Sequence, residues 1–193
     1  MEKNLTTRCV AIVEKCAMTE MALRYILSNE AGKKYSVHFY KDTQALKREF
    51  ASKNFIAVIF SLSGSRRIRL ESLLFLHEIA QTRPEIQRIV LADNTAEMRL
   101  ISHLTPSSPQ TILNKSSCLT RLQERLLQLI EQAPLDKESI LNRSYNSCGH
   151  ILSPTEHTIL RYMTYGYSLP EIATQLDRNI KTIRAHKFNA MTK

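Results

Sequence analysis

Ser153-Pro154-Thr155-Glu156 and Ser168-Leu169-Pro170-Glu171 carry one signal twice within a short stretch of this chain. Ser153 can cap a helix, Pro154 suits its first position, and Glu156 can reach back to close a capping box. Ile159, Leu160 and Met163 then recur at helical spacing, and Gly166 supplies a left-handed stop. After Ser168 the pattern restarts, with Ile172, Ala173 and Leu176 on one face. A polar turn, Asp177-Arg178-Asn179, leads into a third helix near Ile180. Two capped helices, a glycine turn and a short break spell a helix-turn-helix over residues 151–193.

Charge decides what the third helix is for. Arg178, Lys181, Arg184, Lys187 and Lys193 follow one another with no acidic residue between them, and Ile183 and Ala190 form a narrow apolar seam. One buried stripe on an otherwise basic helix suits insertion into the groove of double-stranded DNA. A solvated basic helix is common by itself, but here a second capped helix stands directly upstream.

These residues resemble the LuxR/FixJ-type helix-turn-helix: Leu152-Ser153, Glu156, Ile159-Leu160, Gly166, Ser168, Glu171-Ile172-Ala173, Leu176, Thr182-Ile183 and His186 match its pattern. The resemblance implies that the helix from Ile180 enters the major groove and that Lys181, Thr182, Arg184, Ala185, Lys187 and Phe188 form the DNA-binding set. Arg184 and Ala185 fall at base-contact positions, and Lys181 and Lys187 at phosphate positions. Phe188 stands at another base-contact position, where an aromatic ring makes no bidentate guanine contact but can touch a thymine methyl. The family pattern continues beyond the equivalent of Lys193 into a fourth helix, so the DNA-binding segment is expected to be C-terminally incomplete.

The whole chain fits this reading. Its 193 residues allow one ordinary domain plus the small module, and 43% apolar with 23% charged residues is globular composition. A net charge of +9 and a pI near 9.5 favour an acidic partner such as nucleic acid. Residues 151–193 hold six basic and three acidic side chains, so the remaining 21 and 15 make the upstream part basic too. Cys9, Cys16, Cys118 and Cys148 lack Cys-x-x-Cys spacing, and the histidines show no ligand spacing, so reduced thiols and no metal are expected. Cys148-Gly149-His150 is too small a cluster to specify a metal site. With no signal peptide and no run long enough for a membrane span, the expected location is cytoplasmic.

Upstream, short apolar runs alternate with helical patterns. Strands are predicted over Cys9–Val13, Tyr35–Tyr40, Ile56–Phe60, Ile89–Ala92 and Thr111–Leu113, and helices from Thr19 to Leu27, Gln44 to Lys53, Leu70 to Gln81, Thr95 to Leu104 and Leu119 to Ile130. The Ile56–Phe60 run is typical of a central parallel strand. Five strands alternating with five helices imply an α/β, doubly wound five-stranded parallel sheet, followed by the small all-α module. The expected division is 1–132 for the sheet domain, 133–150 for a polar linker and 151–193 for the helix-turn-helix. Ser65-Arg66-Arg67-Ile68-Arg69 reads as a basic loop, and Leu126, Leu127, Leu129 and Ile130 exceed one core-facing stripe.

This order resembles the receiver domain of a NarL-type response regulator. The resemblance implies a phosphorylation pocket with an acidic pair after the first strand, where this chain has Glu14-Lys15. It implies an aspartate after the third strand, where Ser61 stands, and a hydroxyl after the fourth, where Ala92 stands. Only Lys115 fits, at the family's active-site lysine. Without paired carboxylates the pocket is a poor Mg²⁺ site, and Ser61 has no visible base to make it nucleophilic. Glu14 reads as a surface carboxylate and Lys115 as a solvated or capping residue. The domain is therefore expected to be a pseudo-receiver with no catalytic residue, no cofactor, no metal and no evident small-molecule ligand.

The expected function is a DNA-binding transcriptional regulator, an activator, that ignores phosphorylation and works as a heterodimer with a second LuxR-type response regulator of the Rcs type, the last by resemblance. The alternative is a protein-only adaptor that acts on a partner regulator without touching DNA. No residue constellation supports an enzyme.

Overall fold

The computed structural model describes residues 8–28, 35–62, 65–104, 110–133 and 152–192. Five strands, β1 (Arg8–Val13), β2 (Tyr35–Tyr40), β3 (Phe55–Ser61), β4 (Gln87–Ala92) and β5 (Gln110–Asn114), form one sheet in the order β2-β1-β3-β4-β5. All pairings are parallel. Five helices alternate with them: α1 (Ala17–Ser28), α2 (Thr43–Phe50), α3 (Arg66–Thr82), α4 (Thr95–Leu104) and α5 (Leu119–Glu131). Three more close the chain: α6 (Pro154–Thr164), α7 (Leu169–Gln175) and α8 (Ile180–Thr192).

Side chains of successive strand residues point to opposite faces, so each central strand feeds two cores. Val10, Ile12, Ala57, Ile59, Ile89 and Leu91 meet α1 and α5 through Leu23, Ile26, Leu27, Leu122, Leu126 and Ile130. Ala11, Val13, Val58, Phe60, Val90 and Ala92 meet α2, α3 and α4 through Leu46, Phe75, Leu76, Ile79 and Ile101. Both faces are covered, which is why β3 and β4 read as unbroken apolar runs. The four clustered leucine and isoleucine positions of α5 are also accounted for. Leu126 and Ile130 are buried, while Leu127 and Leu129 pack half-buried against the same core.

Several boundaries differ from the sequence reading. α1 starts at Ala17, ahead of Thr19, and α2 starts at Thr43, where the Asp42 carboxylate accepts the Ala45 N–H. α3 starts at Arg66, so Arg66, Arg67 and Arg69 belong to its first turn rather than to a loop. Ser65 occupies its N-cap without a side-chain hydrogen bond, and the first turn is basic with no acid, the reverse of the usual mark of a helix start. β4 begins earlier than its apolar run because Gln87 and Arg88 are buried strand residues. The predicted breaks at Gly32 and Pro106–Pro109, the 133–150 linker beyond Ala133, and Cys148 lie outside the described residues.

Candidate nucleic-acid interface and receiver pocket

Local hydrogen bonding builds the three-helix module. The Ser153 hydroxyl accepts the Glu156 N–H, and the Glu156 carboxylate accepts the Ser153 N–H at 2.8 Å. Ser168 and Glu171 repeat the box at the start of α7. α6 ends in a Schellman motif: the Gly166 N–H donates to Met163 O and the Tyr167 N–H to Tyr162 O, with Gly166 at φ +87°. Tyr162 and Tyr167 pack edge to face across it at 5.2 Å. α7 ends the same way, with Asp177 and Arg178 donating to Thr174 O and Ala173 O. Here a non-glycine residue, Asp177, takes the left-handed position at φ 49°. Asn179 then accepts the Lys181 N–H through its side chain at 2.8 Å, which opens α8. Ile159, Ile172, Ala173 and Ile183 form the small core that these turns position.

α8 turns Ile183 and Ala190 inward, as their spacing implied. Lys181, Arg184, Ala185 and Phe188 are spaced i, i+3, i+4, i+7 and lie exposed on the opposite face. Thr182 is exposed on one flank and Lys187 half-buried on the other, as is His186. Phe188, 70% exposed, is an uncovered aromatic ring in the middle of this basic face.

The receiver pocket lies at the carboxyl ends of the strands, where the order reverses between β1 and β3 and such folds place their ligands. The structure brings Ser61 and Lys115 together: the Lys115 ammonium donates to the Ser61 hydroxyl at 2.8 Å and pairs with Asp93 at 2.5 Å. Lys115 is therefore neither solvated nor a helix cap, and its side chain is only 14% exposed. Asp93, absent from the sequence reading, is its acidic partner. Glu14 is buried at 2% exposure, not a surface carboxylate, and accepts the Cys16 N–H at the entry to α1. Lys15 points outward and Ala92 is buried in the core. Among the described residues, no group of three or more His, Cys, Asp or Glu side chains stands close enough to hold a metal ion, and no helix is long and apolar enough to cross a membrane.

A receiver-like sheet domain followed by a basic helix-turn-helix defines a class of bacterial transcription regulator. Residues 150–193 match the family described as bacterial regulatory proteins, luxR family. The chain is 40% identical over 190 residues to the transcriptional activator protein BglJ of Escherichia coli K12, covering 98% of this chain and 84% of that protein. This chain belongs to the luxR family of bacterial regulatory proteins, whose members here are regulators and not enzymes. Its fold matches that of RcsB in a structure of two RcsB dimers bound to two parallel DNAs (TM-score 0.58, 23% identity, 96% of this chain and 91% of that one). It also matches full-length FixJ of B. japonicum (TM-score 0.52, 20% identity, 95% and 88%).

The capping carboxylate of α7 has a measurable signature. Hydrogen bonds from the Ser168 backbone and hydroxyl, then from Arg66, pull the Glu171 pKa down from 4.5 to about 2. A depressed folded-state pKa means that the contribution is complete above pH 4.5 and fades as pH falls toward 2. Acid titration of stability should show a loss in that window, and Glu171→Ala should remove this component of the pH dependence.

Proposed function

We propose that this protein is a DNA-binding transcriptional activator that acts without phosphorylation, as a heterodimer with a second LuxR-type response regulator. The domain division is taken as 1–132, 133–150 and 151–193, and the location as the cytoplasm. The observation that carries the DNA reading is the α8 face: Lys181, Arg184, Ala185 and Phe188 stand exposed together, without an acid, on a helix fixed by two Schellman turns. Arg184 and Ala185 face bases, Phe188 offers an apolar contact, and Lys181 and Lys187 flank for phosphates, with Thr182 at the edge.

Phosphate independence is supported by the pocket. Ser61 is no carboxylate, Glu14 is engaged by the α1 entry, and Lys115 is held between Ser61 and Asp93. Ala92 has no hydroxyl with which to follow a phosphoryl group.

Pairing is supported by α1. Met18, Met21 and Tyr25 are 77%, 68% and 59% exposed and lie on the pole opposite Leu23, Ile26 and Leu27. That apolar stripe has no place in the fold's own core. A net charge of +9 opposes self-association, which favours a different partner. The partner class is taken as the Rcs type, by resemblance alone. Two modules side by side add phosphate contacts and raise affinity through effective concentration. The adaptor reading, without DNA contact, has no comparable support against the open α8 face.

Neutralising Lys181 and Lys187 together should weaken binding to every duplex and reduce the salt slope by about one to two units. Arg184→Ala should instead cost about 1–3 kcal/mol at one base position, read by a panel of substituted operators. Incubation with acetyl phosphate and Mg²⁺ should leave intact mass and DNA affinity unchanged; a phosphate on Ser61 would refute that reading. Mixed with an intact Rcs-type regulator, the protein should shift a labelled operator more tightly than the two proteins summed. Met21→Glu should abolish that gain while sparing the affinity of this protein alone.

A further inference from the structure

Two arginines of the receiver-like domain grip the end of a helix in the DNA-binding module. The last carbonyls of α6 have no partners within the helix, and its C-terminus carries partial negative charge. Arg69 Nε donates to Thr164 O at 3.2 Å, and Arg66 Nη2 donates to Gly166 O at 3.1 Å. The same Arg66 nitrogen lies 2.9 Å from both carboxylate oxygens of Glu171, and its guanidinium sits 4.0 Å above the Tyr167 ring. A Cβ on Gly166 would already touch the stems of both arginines. Beside this polar grip, Leu100 of α4 joins Leu160 and Ala190 of the module in one buried apolar cluster.

Arg69 also ties this contact to the receiver pocket. It donates to Leu62 O at 3.0 Å and pairs with Glu97, which is 8% exposed. The Glu97 carboxylate accepts the N–H of Asp93 at 2.7 Å, and Asp93 is the partner of Lys115. A continuous polar chain therefore runs from Lys115 through Asp93, Glu97 and Arg69 to the end of α6. It engages the back of the module. Lys181, Arg184, Ala185 and Phe188 remain exposed while the contact is made.

We propose that the α3–α4 face of the receiver-like domain is a docking site for the DNA-binding module, with Arg66 and Arg69 as its positioning residues, and that the docked arrangement presents the α8 face to DNA instead of masking it. The lysine-filled pocket holds the Arg69 end of the site in place. This rests on the DNA-binding reading of α8, but the docking itself can be measured without DNA. A module held at a fixed orientation binds as one competent state; a loose one dilutes that state by the fraction of time it is aligned.

The test compares Arg66→Glu with Arg67→Glu in the full chain. Both change the charge equally, but Arg67 is 88% exposed and pairs within α3 with Glu71. Deuterium uptake of the amides from Arg161 to Tyr167 and of α4 should rise in Arg66→Glu and stay at the wild-type level in Arg67→Glu. Leu100→Ser should raise uptake over the same segments. Operator affinity should fall further in Arg66→Glu than in Arg67→Glu, by about threefold if alignment drops to a third. Equal exchange in the two arginine variants would overturn the docking. Raised exchange with tighter operator binding would overturn the open presentation, because docking would then be a mask. Raised exchange with no operator binding by any variant, wild type included, would count against the DNA reading while leaving the docking intact.

Discussion

A parallel sheet covered by helices on both faces has room for charge at the ends of its strands and almost nowhere else. The two apolar layers around β1, β3 and β4 are continuous, so polar side chains collect where those strands stop. Glu14, Ser61, Asp93 and Lys115 all stand at that edge; Glu14 is held within its own connection by the Cys16 N–H, and Lys115 ties Ser61 and Asp93 across connections. The edge is also where α3 and α4 begin, which is how Arg69 and Glu97 come to be part of the same polar line. The helix-turn-helix module rests against those two helices, so one topological constraint links the sheet, the pocket and the DNA-binding end.

What was legible in the sequence was what is local. Both capping boxes lie within four residues of chain, and the structure forms them as their spacing implied. The central strands were legible because both their faces are buried and leave apolar runs. The failures involve distance. Lys115 and Asp93 are far apart in the chain and meet only because β4 and β5 pair in parallel register. Glu14 looked solvated because nothing in its neighbourhood shows that the turn into α1 buries it. Arg66 looked like loop because its helix opens on a run of basic residues with no acid in the first turn. Asp177 hid a left-handed residue, since aspartate takes that conformation far less often than glycine.

Magnitudes separate the contacts that hold the two domains together. The Arg66–Glu171 ion pair is exposed on both sides, so solvent screens it and it adds little alone. The ring of Tyr167 beneath the guanidinium adds about 0.5–1 kcal/mol. Arg69 and Glu97 are more deeply buried, and losing either leaves a charge without its partner, which costs several times more than the pair contributes. That pair lies within the receiver-like domain, between α3 and α4, so it fixes Arg69 in place for its bond to Thr164 O, while Arg66 carries the ionic and ring contacts across the domains.

Lys115 carries a consequence of a different kind. On the proposed reading, a pocket whose own cation is held between Ser61 and Asp93 takes up neither a metal nor a donated phosphoryl group. On that reading, such a protein holds no record of an upstream event, and its state does not decay with time. What varies is how many copies exist beside how many partners. Control then belongs to supply: synthesis, turnover and the ratio of two subunits set the output, and the protein behaves as a titrant.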